Sequence, residues 1–307
     1  MIYGLREVAM RAQAQIRDMT KADTGRVGAL LYESFNTVAS KYGYAQKMKR
    51  AEAGESWAWA LLHHGSNELL IAEVENRIAG ICCFNPRGNL GGVGPVAVDP
   101  AFQGYGIGVQ MMRTLLKRTE NLQSLRLVQE AFNPTSFSFY YAFDFLPVEN
   151  MLDLLLEKGV EQRTDLCASV SEMTAQDLDA VNGYDMPRST SDRRADLAYF
   201  VKWGKVFVYR DQSEIRGYLV SLPGAETVQL GPLLAEGEEE AKCLFRHALA
   251  VYKNRRCQTR VMARNNLLVK FLIDSGFKIY CLDTLMVRGS WRPGNYVEAL
   301  GIFPEGV

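Results

Sequence analysis

The sequence predicts a mixed α/β (α+β) protein made of two tandem domains of one kind, each a mixed central sheet flanked by helices. Three observations predict it. The chain has 307 residues, 48 % hydrophobic and 23 % charged, which is ordinary globular usage and enough for two cores of about 150 residues each. Apolar residues alternate with period two in some stretches and fall on helical faces in others, and the two patterns interleave along the chain. The order also repeats. Val93–Gly94–Pro95 and Leu230–Gly231–Pro232 stand 137 residues apart, and Asn133 and Asn265 stand 132 apart, each twelve residues before a phenylalanine, Phe145 or Phe277. The charged stretch EKGVEQRTDLCA has no long apolar period and reads as a linker, giving domains at 1–157 and 169–307 joined by 158–168.

In the first half, Gln15–Arg17 reads as a strand. Asp23 or Thr24 then caps a helix with Val27, Leu30, Leu31 and Phe35 on one face. The Tyr- and Lys-bearing SKYGYAQKMKRAEAGESWAW has weak periodicity and reads as a helical or looped lid. ELLIAEVENRIAGICCFNP is a hairpin turning at Glu75–Asn76–Arg77, RGNLGG a flexible loop and GVGPVAV a third strand. Gln103–Gly108 opens a helix to about Thr119 with Met112, Leu115 and Leu116 buried. LRLVQEAF is a strand, PTSFSFYYAF a helix, and FLPVENMLDLLLE one or two closing strands.

The second half repeats this with the hairpin VFVYRDQSEIRGYLVSLP, the strand TVQLGPLLAEG, the helix EEEAKCLFRHALAVY, the strand TRVMARN, and a helix and strand in LLVKFLIDSGF. NGYDMPRSTSDRRADLAYFVKWG is its counterpart of the lid. Arg188, Arg193 and Arg194 there form either a solvated helix face or partners for a substrate carboxylate.

Thirty-five basic residues balance thirty-five acidic ones, so no long-range field favours nucleic acid or an anionic membrane. No apolar run is long enough for a membrane span, and MIYGLREVAMRAQAQ lacks a signal core. A cytoplasmic location is expected. The six cysteines include no CxxC pair and read as buried thiols. His63 and His64 point to different faces of a helix and His247 stands alone, so no metal site is expected.

The segment VAVDPAFQGYGIG carries the chemistry. A strand that ends in a glycine turn and opens into a helix aims several backbone N–H groups at one spot, where the helix dipole adds partial positive charge. That is a phosphate cradle. It lacks the Lys-Ser/Thr of an NTPase loop, and its GxGxG spacing is not the GxGxxG of dinucleotide folds.

Together with the following helix, the next strand, Asn133 and FYYAFDF, this segment resembles the GNAT superfamily of acetyl-CoA-dependent N-acetyltransferases over about residues 15–157. The resemblance implies that the backbone amides of Gln103, Gly104, Tyr105, Gly106, Ile107 and Gly108 hold the CoA pyrophosphate. It implies that the backbone of Val96 and Val98 pairs with pantetheine, that an N–H there polarises the thioester carbonyl, and that Asn133 contacts the pantetheine arm. Tyr140 takes the place of the tyrosine that protonates the departing thiolate, with Tyr141 as the alternative. The family's glycine before the last phenylalanine is replaced by Asp144. Attack by an amine on acetyl-CoA also needs a base. Glu130, at the end of the strand leading to Asn133, is the first candidate, with Glu73 and Glu33 as others.

In the second copy the loop reads AEGEEEAK and Leu272 stands where Tyr140 does. Three glutamates in a helix's first turn satisfy the dipole and repel phosphate. An intact copy beside a degenerate one resembles a tandem GNAT subgroup. The expectation is an N-acetyltransferase for a primary amine of a small molecule or amino-acid-like metabolite, its second domain walling the pocket or making a homodimer contact. The alternatives are protein or peptide acetylation and a non-catalytic acyl-CoA sensor.

Overall fold

The computed structural model describes residues 12–159 and 166–301, so residues 160–165 of the expected linker lie outside the described residues. The first half runs β1 (Gln15–Asp18), α1 (Thr24–Lys41), α2 (Ala51–His63), β2 (Glu68–Val74), β3 (Arg77–Arg87), β4 (Leu90–Val98), α3 (Ile107–Arg118), β5 (Ser124–Glu130), α4 (Pro134–Tyr141) and β6 (Leu146–Leu156). A capping box between Thr20 and Asp23 starts the first helical turn, and Val27, Leu30 and Leu31 are buried as the apolar spacing predicts. Glu75 and Asn76 both take positive φ, 48° and 63°, which closes the β2–β3 hairpin with a twist matching its strands.

RGNLGG is not a flexible loop. Arg87 belongs to β3 and Leu90–Gly92 to β4, leaving a tight turn at Gly88 and Asn89. Gly91 is there for space, since a Cβ would fall 2.1 Å from the Phe84 ring.

The second half repeats the order as β7 (Val170–Glu172), α5 (Leu178–Ser189), α6 (Arg194–Trp203), β8 (Lys205–Asp211), β9 (Glu214–Pro223), β10 (Thr227–Ala235), α7 (Glu238–Val251), β11 (Arg256–Met262), α8 (Asn266–Asp274) and β12 (Lys278–Gly289), then adds β13 (Val297–Leu300). The repeat extends to detail. Thr174 and Asp177 form the same capping box as Thr20 and Asp23. Gly94 (φ 143°) and Gly231 (φ 136°) have the same backbone, each before a cis proline.

The thirteen strands among the described residues join in one sheet, ordered β1-β2-β3-β4-β5-β12-β6-β11-β13-β10-β9-β8-β7. The halves exchange strands. In sequence β6 closes the first half, yet in space it lies between β12 and β11, and β12 lies between β5 and β6. The cores follow the exchange: Leu154 and Leu156 of β6 pack under α7 and α8, and Met286 of β12 packs under α3. The opposite face carries α1 and α2 over one half, α5 and α6 over the other, and at the seam a cluster of Met151, Met262, Leu285, Val287 and Leu300.

Cys167 and Cys243 are paired in a disulfide with Cα atoms 5.8 Å apart, which corrects the reading of all six cysteines as thiols. Spacing could not show it because the two are 76 residues apart. The other four are buried and in no disulfide among the described residues. Among the described residues no helix is long and apolar enough to cross a membrane.

Candidate active site

The site begins where two parallel strands part. β4 pairs with β5 only over Leu90–Gly92, and the ladder ends at Gly92 opposite Arg126. Beyond it β4 carries an extra residue around Gly94–Pro95, since Phe84 faces Val93 while Cys82 faces Val96. Such a bulge turns the strand away from its neighbour. Val96 and Val98 therefore have β3 on one side and the split on the other. The Val98 carbonyl accepts from Ser34 Oγ (3.2 Å) and Gln103 Nε2 (3.3 Å), which ties the strand to α1 and to the loop.

At the open end of β4 stands the glycine loop. Gly104 (φ 81°) and Gly106 (φ 84°) are left-handed, and Gly106 caps α3. A Cβ at Gly104 would meet nothing within 4 Å, so conformation and not space demands glycine there. Gln103, Gly104 and Tyr105 are exposed while Ile107 is buried, so the loop faces solvent on an anchored helix. The first N–H groups of α3 have no intrahelical acceptor.

Across the split, Asn133 caps α4, its Oδ1 accepting from the Ser136 N–H (3.3 Å) and the Tyr42 hydroxyl (3.5 Å). Tyr140 is buried against Phe139 and Phe145, whereas Tyr141 is 49 % exposed and stacks on Phe137. Asp144 takes φ 63° at the turn where Gly276 of the second copy takes 92°. The departure from glycine leaves this turn intact because aspartate tolerates the left-handed region.

Of the three candidate bases, only Glu130 is at the split. Glu73 is bound to Arg17 (2.8 Å) on β2, two strands from β4, and Glu33 is exposed on α1. Glu130 forms an ion pair with Lys47 at 2.7 Å. Lys47 comes from the lid between α1 and α2, where Tyr44 stacks on Phe132 at 4.0 Å. Burial works to lower the Lys47 pKa, but Glu130, Cys281 and Asp283 outweigh it and hold the ammonium above its ordinary value. Opposite Glu130 on β12 is Asp283, which shares Arg260 with Asp153 at 2.6 and 2.7 Å. Burial pushes the Asp283 carboxyl up to about 6, with Arg260 opposing and Asp153 adding to it. Sequence reading missed Lys47 and Asp283. The only signal for Lys47 was its place in a lid.

The second copy shows what closes such a site. Its split is filled by β13, which pairs with β10 at Leu233, Leu234 and Ala235 and with β11 at Arg260 and Val261. Leu233 and Ala235 are the counterparts of Val96 and Val98 at the offset of 137. Asn265, the counterpart of Asn133, donates from Nδ2 to the Glu298 carbonyl of β13 at 2.7 Å. At α7 the cap Gly237 is extended (φ −148°), and Glu238, Glu239 and Glu240 fill the first turn. This chain's own strand lies where the resemblance puts pantetheine in the first copy.

Two family models match the chain, the acetyltransferase (GNAT) family over residues 31–145 and an acetyltransferase (GNAT) domain over residues 182–298. The protein belongs to the GNAT acetyltransferase family, in a tandem arrangement. Among solved structures it is similar to a putative acetyltransferase from Pyrococcus horikoshii, with a TM-score of 0.77 at 17 % identity, covering 95 % of this chain and 96 % of that one. It is also similar to a tandem GNAT protein from the clavulanic acid biosynthesis pathway (0.61, 14 %, covering 92 % and 100 %). A GCN5-related N-acetyltransferase from Sphaerobacter thermophilus gives 0.61 at 15 %, covering 92 % and 96 %. No curated protein matches the sequence.

Proposed function

We propose that the first half transfers an acetyl group from acetyl-CoA to a primary amine of a small molecule or amino-acid-like metabolite by direct attack. One observation carries this reading: of two equivalent splits in one sheet, that of the first copy is bordered by left-handed glycines and, among the described residues, filled by no strand, and that of the second is occupied by β13.

In this reading the amides of Gln103 to Gly108 hold the pyrophosphate, Val96 and Val98 offer backbone groups to the pantetheine arm, and Asn133 contacts it. Acetyl-CoA supplies an activated acyl carbonyl, and an N–H of β4 polarises it. Glu130 receives the proton of the incoming ammonium. To do so it must exchange Lys47 for the acceptor, so lid opening and substrate entry are one event. Tyr140 holds the proton that the departing thiolate takes up. The second half binds no CoA and walls the acceptor side. The reading requires no metal, nucleic acid or membrane, and it goes with a cytoplasmic location, where acyl-CoA is available.

The test is CoA-thiol release over a panel of amines, run beside calorimetry with acetyl-CoA. Turnover of at least one small amine is expected, with one acetyl-CoA bound per chain. Tight binding without turnover of any amine would replace this reading by the sensor, and a second bound acetyl-CoA would refute the role given to β13.

A further inference from the structure

A small polar cavity, of about 40 Å³, lies at the seam of the two halves. Five arginines line it, Arg126, Arg188, Arg193, Arg264 and Arg292, with one carboxylate, Glu298. Three of the five are matched. Arg188 is bound to Glu236 (2.9 Å), Arg193 to Asp185 (3.2 Å), and Arg264 to both Glu298 (2.7 Å) and Glu149 (3.3 Å). Arg292 is exposed at the mouth.

Arg126 differs. Among the described residues it has no carboxylate within ion-pair distance, and its hydrogen bond is to the Thr190 hydroxyl at 3.3 Å; its Nε is buried without a partner, as are those of Arg188 and Arg193. Burial pushes its pKa down to about 10, Arg193 and Arg87 adding to the effect and Glu298 opposing it. It is still a cation at neutral pH. A half-buried guanidinium beside two others, with no carboxylate of its own, favours an anion, and its planar fork fits a carboxylate with two N–H donors.

The position of Arg126 relates this cavity to the candidate active site. Arg126, Val128 and Glu130 alternate on one face of β5, so the unmatched cation and the candidate base are four residues, about 13 Å, apart along the strand. The surface between them is apolar: Leu285 faces Val128 across the ladder, and Met262, Leu300 and Trp291 pack beside it.

We infer that the cavity is the carboxylate subsite of the acetyl acceptor: the substrate is an amino acid whose amine reaches Glu130 while its carboxylate, several bonds away across an apolar body, is held by Arg126. The inference rests on the acetyl-transfer reading above. Arg126 is the one arginine of the five that is neither matched by a carboxylate nor exposed to water at the mouth, and its planar fork suits the two oxygens of a carboxylate. The arginine-rich lid of the second half then serves the first half's chemistry, because Thr190 and Arg193 of that lid complete the subsite.

The test compares 4-aminobutanoate, 6-aminohexanoate and 8-aminooctanoate with butylamine, hexylamine and octylamine as acceptors. A hydrogen-bonded charge pair is worth roughly a 10- to 100-fold preference in kcat/KM for the acid over the matching amine, rising with chain length until the span is met. Arg126→Gln brings that ratio to about one, and Arg126→Lys, which keeps the charge without the fork, leaves part of it. Equal kcat/KM for acids and amines in the wild type, or an unchanged ratio in Arg126→Gln, would overturn the inference. Thermal shift with sodium hexanoate separates it from the reading it rests on. If no amine is acetylated but hexanoate raises the Tm of the wild type and not of Arg126→Gln, the subsite stands and the acetyl-transfer reading fails. If inorganic phosphate raises the Tm more than hexanoate does, the carboxylate assignment is overturned.

Discussion

Tyr140 and Tyr141 are neighbours in sequence and differ in environment, and that difference decides which substitution matters. Tyr140 packs inward among Phe139 and Phe145, whereas Tyr141 is half exposed on α4. Tyr140→Phe keeps the ring and removes the hydroxyl. It should lower kcat by about 10²-fold or more if the phenol donates the proton, with acetyl-CoA affinity by calorimetry unchanged. Tyr141→Phe should leave kcat as it is, and the opposite pattern would reassign the acid. Asp144 tests the turn that sets this register. Valine cannot share its left-handed backbone, so Asp144→Val should cost about 1–2 kcal/mol in urea unfolding while Asp144→Gly is tolerated. Asp283 gives a pH signature. Its folded carboxyl is raised to about 6 against an ordinary 3.8, so the native state binds the proton more tightly than the unfolded chain. The stability this proton contributes is present below about pH 4 and is lost as pH rises through about 6. Relative to Asp283→Asn, the wild type should therefore lose stability across that window. A flat difference would mean that Asp283 stays ionised against Arg260.

At the scale of elements, the strand and helix order, the repeat and the glycine loop were legible because each is written in a short span of sequence. VAVDPAFQGYGIG holds its strand, turn and helix start in thirteen residues, and two of its three glycines, Gly104 and Gly106, are left-handed in the structure. RGNLGG was misread because glycine content was taken as freedom, when Gly91 is required by a ring packed on a strand. The exchange of β6 and β12 was not legible at all. Both are apolar strands that suit any central position, and which neighbour each takes is settled by long-range packing that no local pattern encodes. β13 escaped for a related reason, since VEAL is four residues long and its place is defined only by the vacancy it fills. Site residues divide the same way. The glycine loop came from its motif and Asn133 from the family resemblance, but Lys47, Asp283 and the unmatched state of Arg126 appear only once separate elements meet. The loop itself is testable as an element. Gly106→Val forces a β-branched residue to φ 84° at the cap of α3, so acetyl-CoA affinity should fall by about tenfold or more in calorimetry, through loss of the cradle's shape.

For the whole molecule, the strand exchange changes what a domain is. The segment 1–157 looks self-sufficient in sequence, but its last strand has no first-half neighbour in the sheet, and β5 is covered on that side by β12. Met151, Leu154 and Leu156 of β6 are completely buried, the last two in the core under α7 and α8. Exposing three such side chains costs roughly 5–9 kcal/mol at about 1.5–3 kcal/mol each, which is comparable to the whole stability of an ordinary domain. The first-half core would also lose Met286, which β12 contributes beneath α3. Residues 12–159 expressed alone should therefore fail to give a cooperatively unfolding monomer. Supplied together with residues 166–301, they should recover a complex with the circular dichroism and size of the intact chain. The check is size-exclusion chromatography with thermal unfolding of each fragment and of the mixture. A monomeric first-half fragment that melted near the temperature of the full chain would show that β6 can fold back beside β5, and that the exchange contributes little to stability. If the fragments behave as expected, the degenerate copy is an obligatory part of the enzyme, because it supplies the strand that completes the floor of the active site. That would explain on physical grounds why a half whose own split is filled by β13 is joined to the half whose split is open.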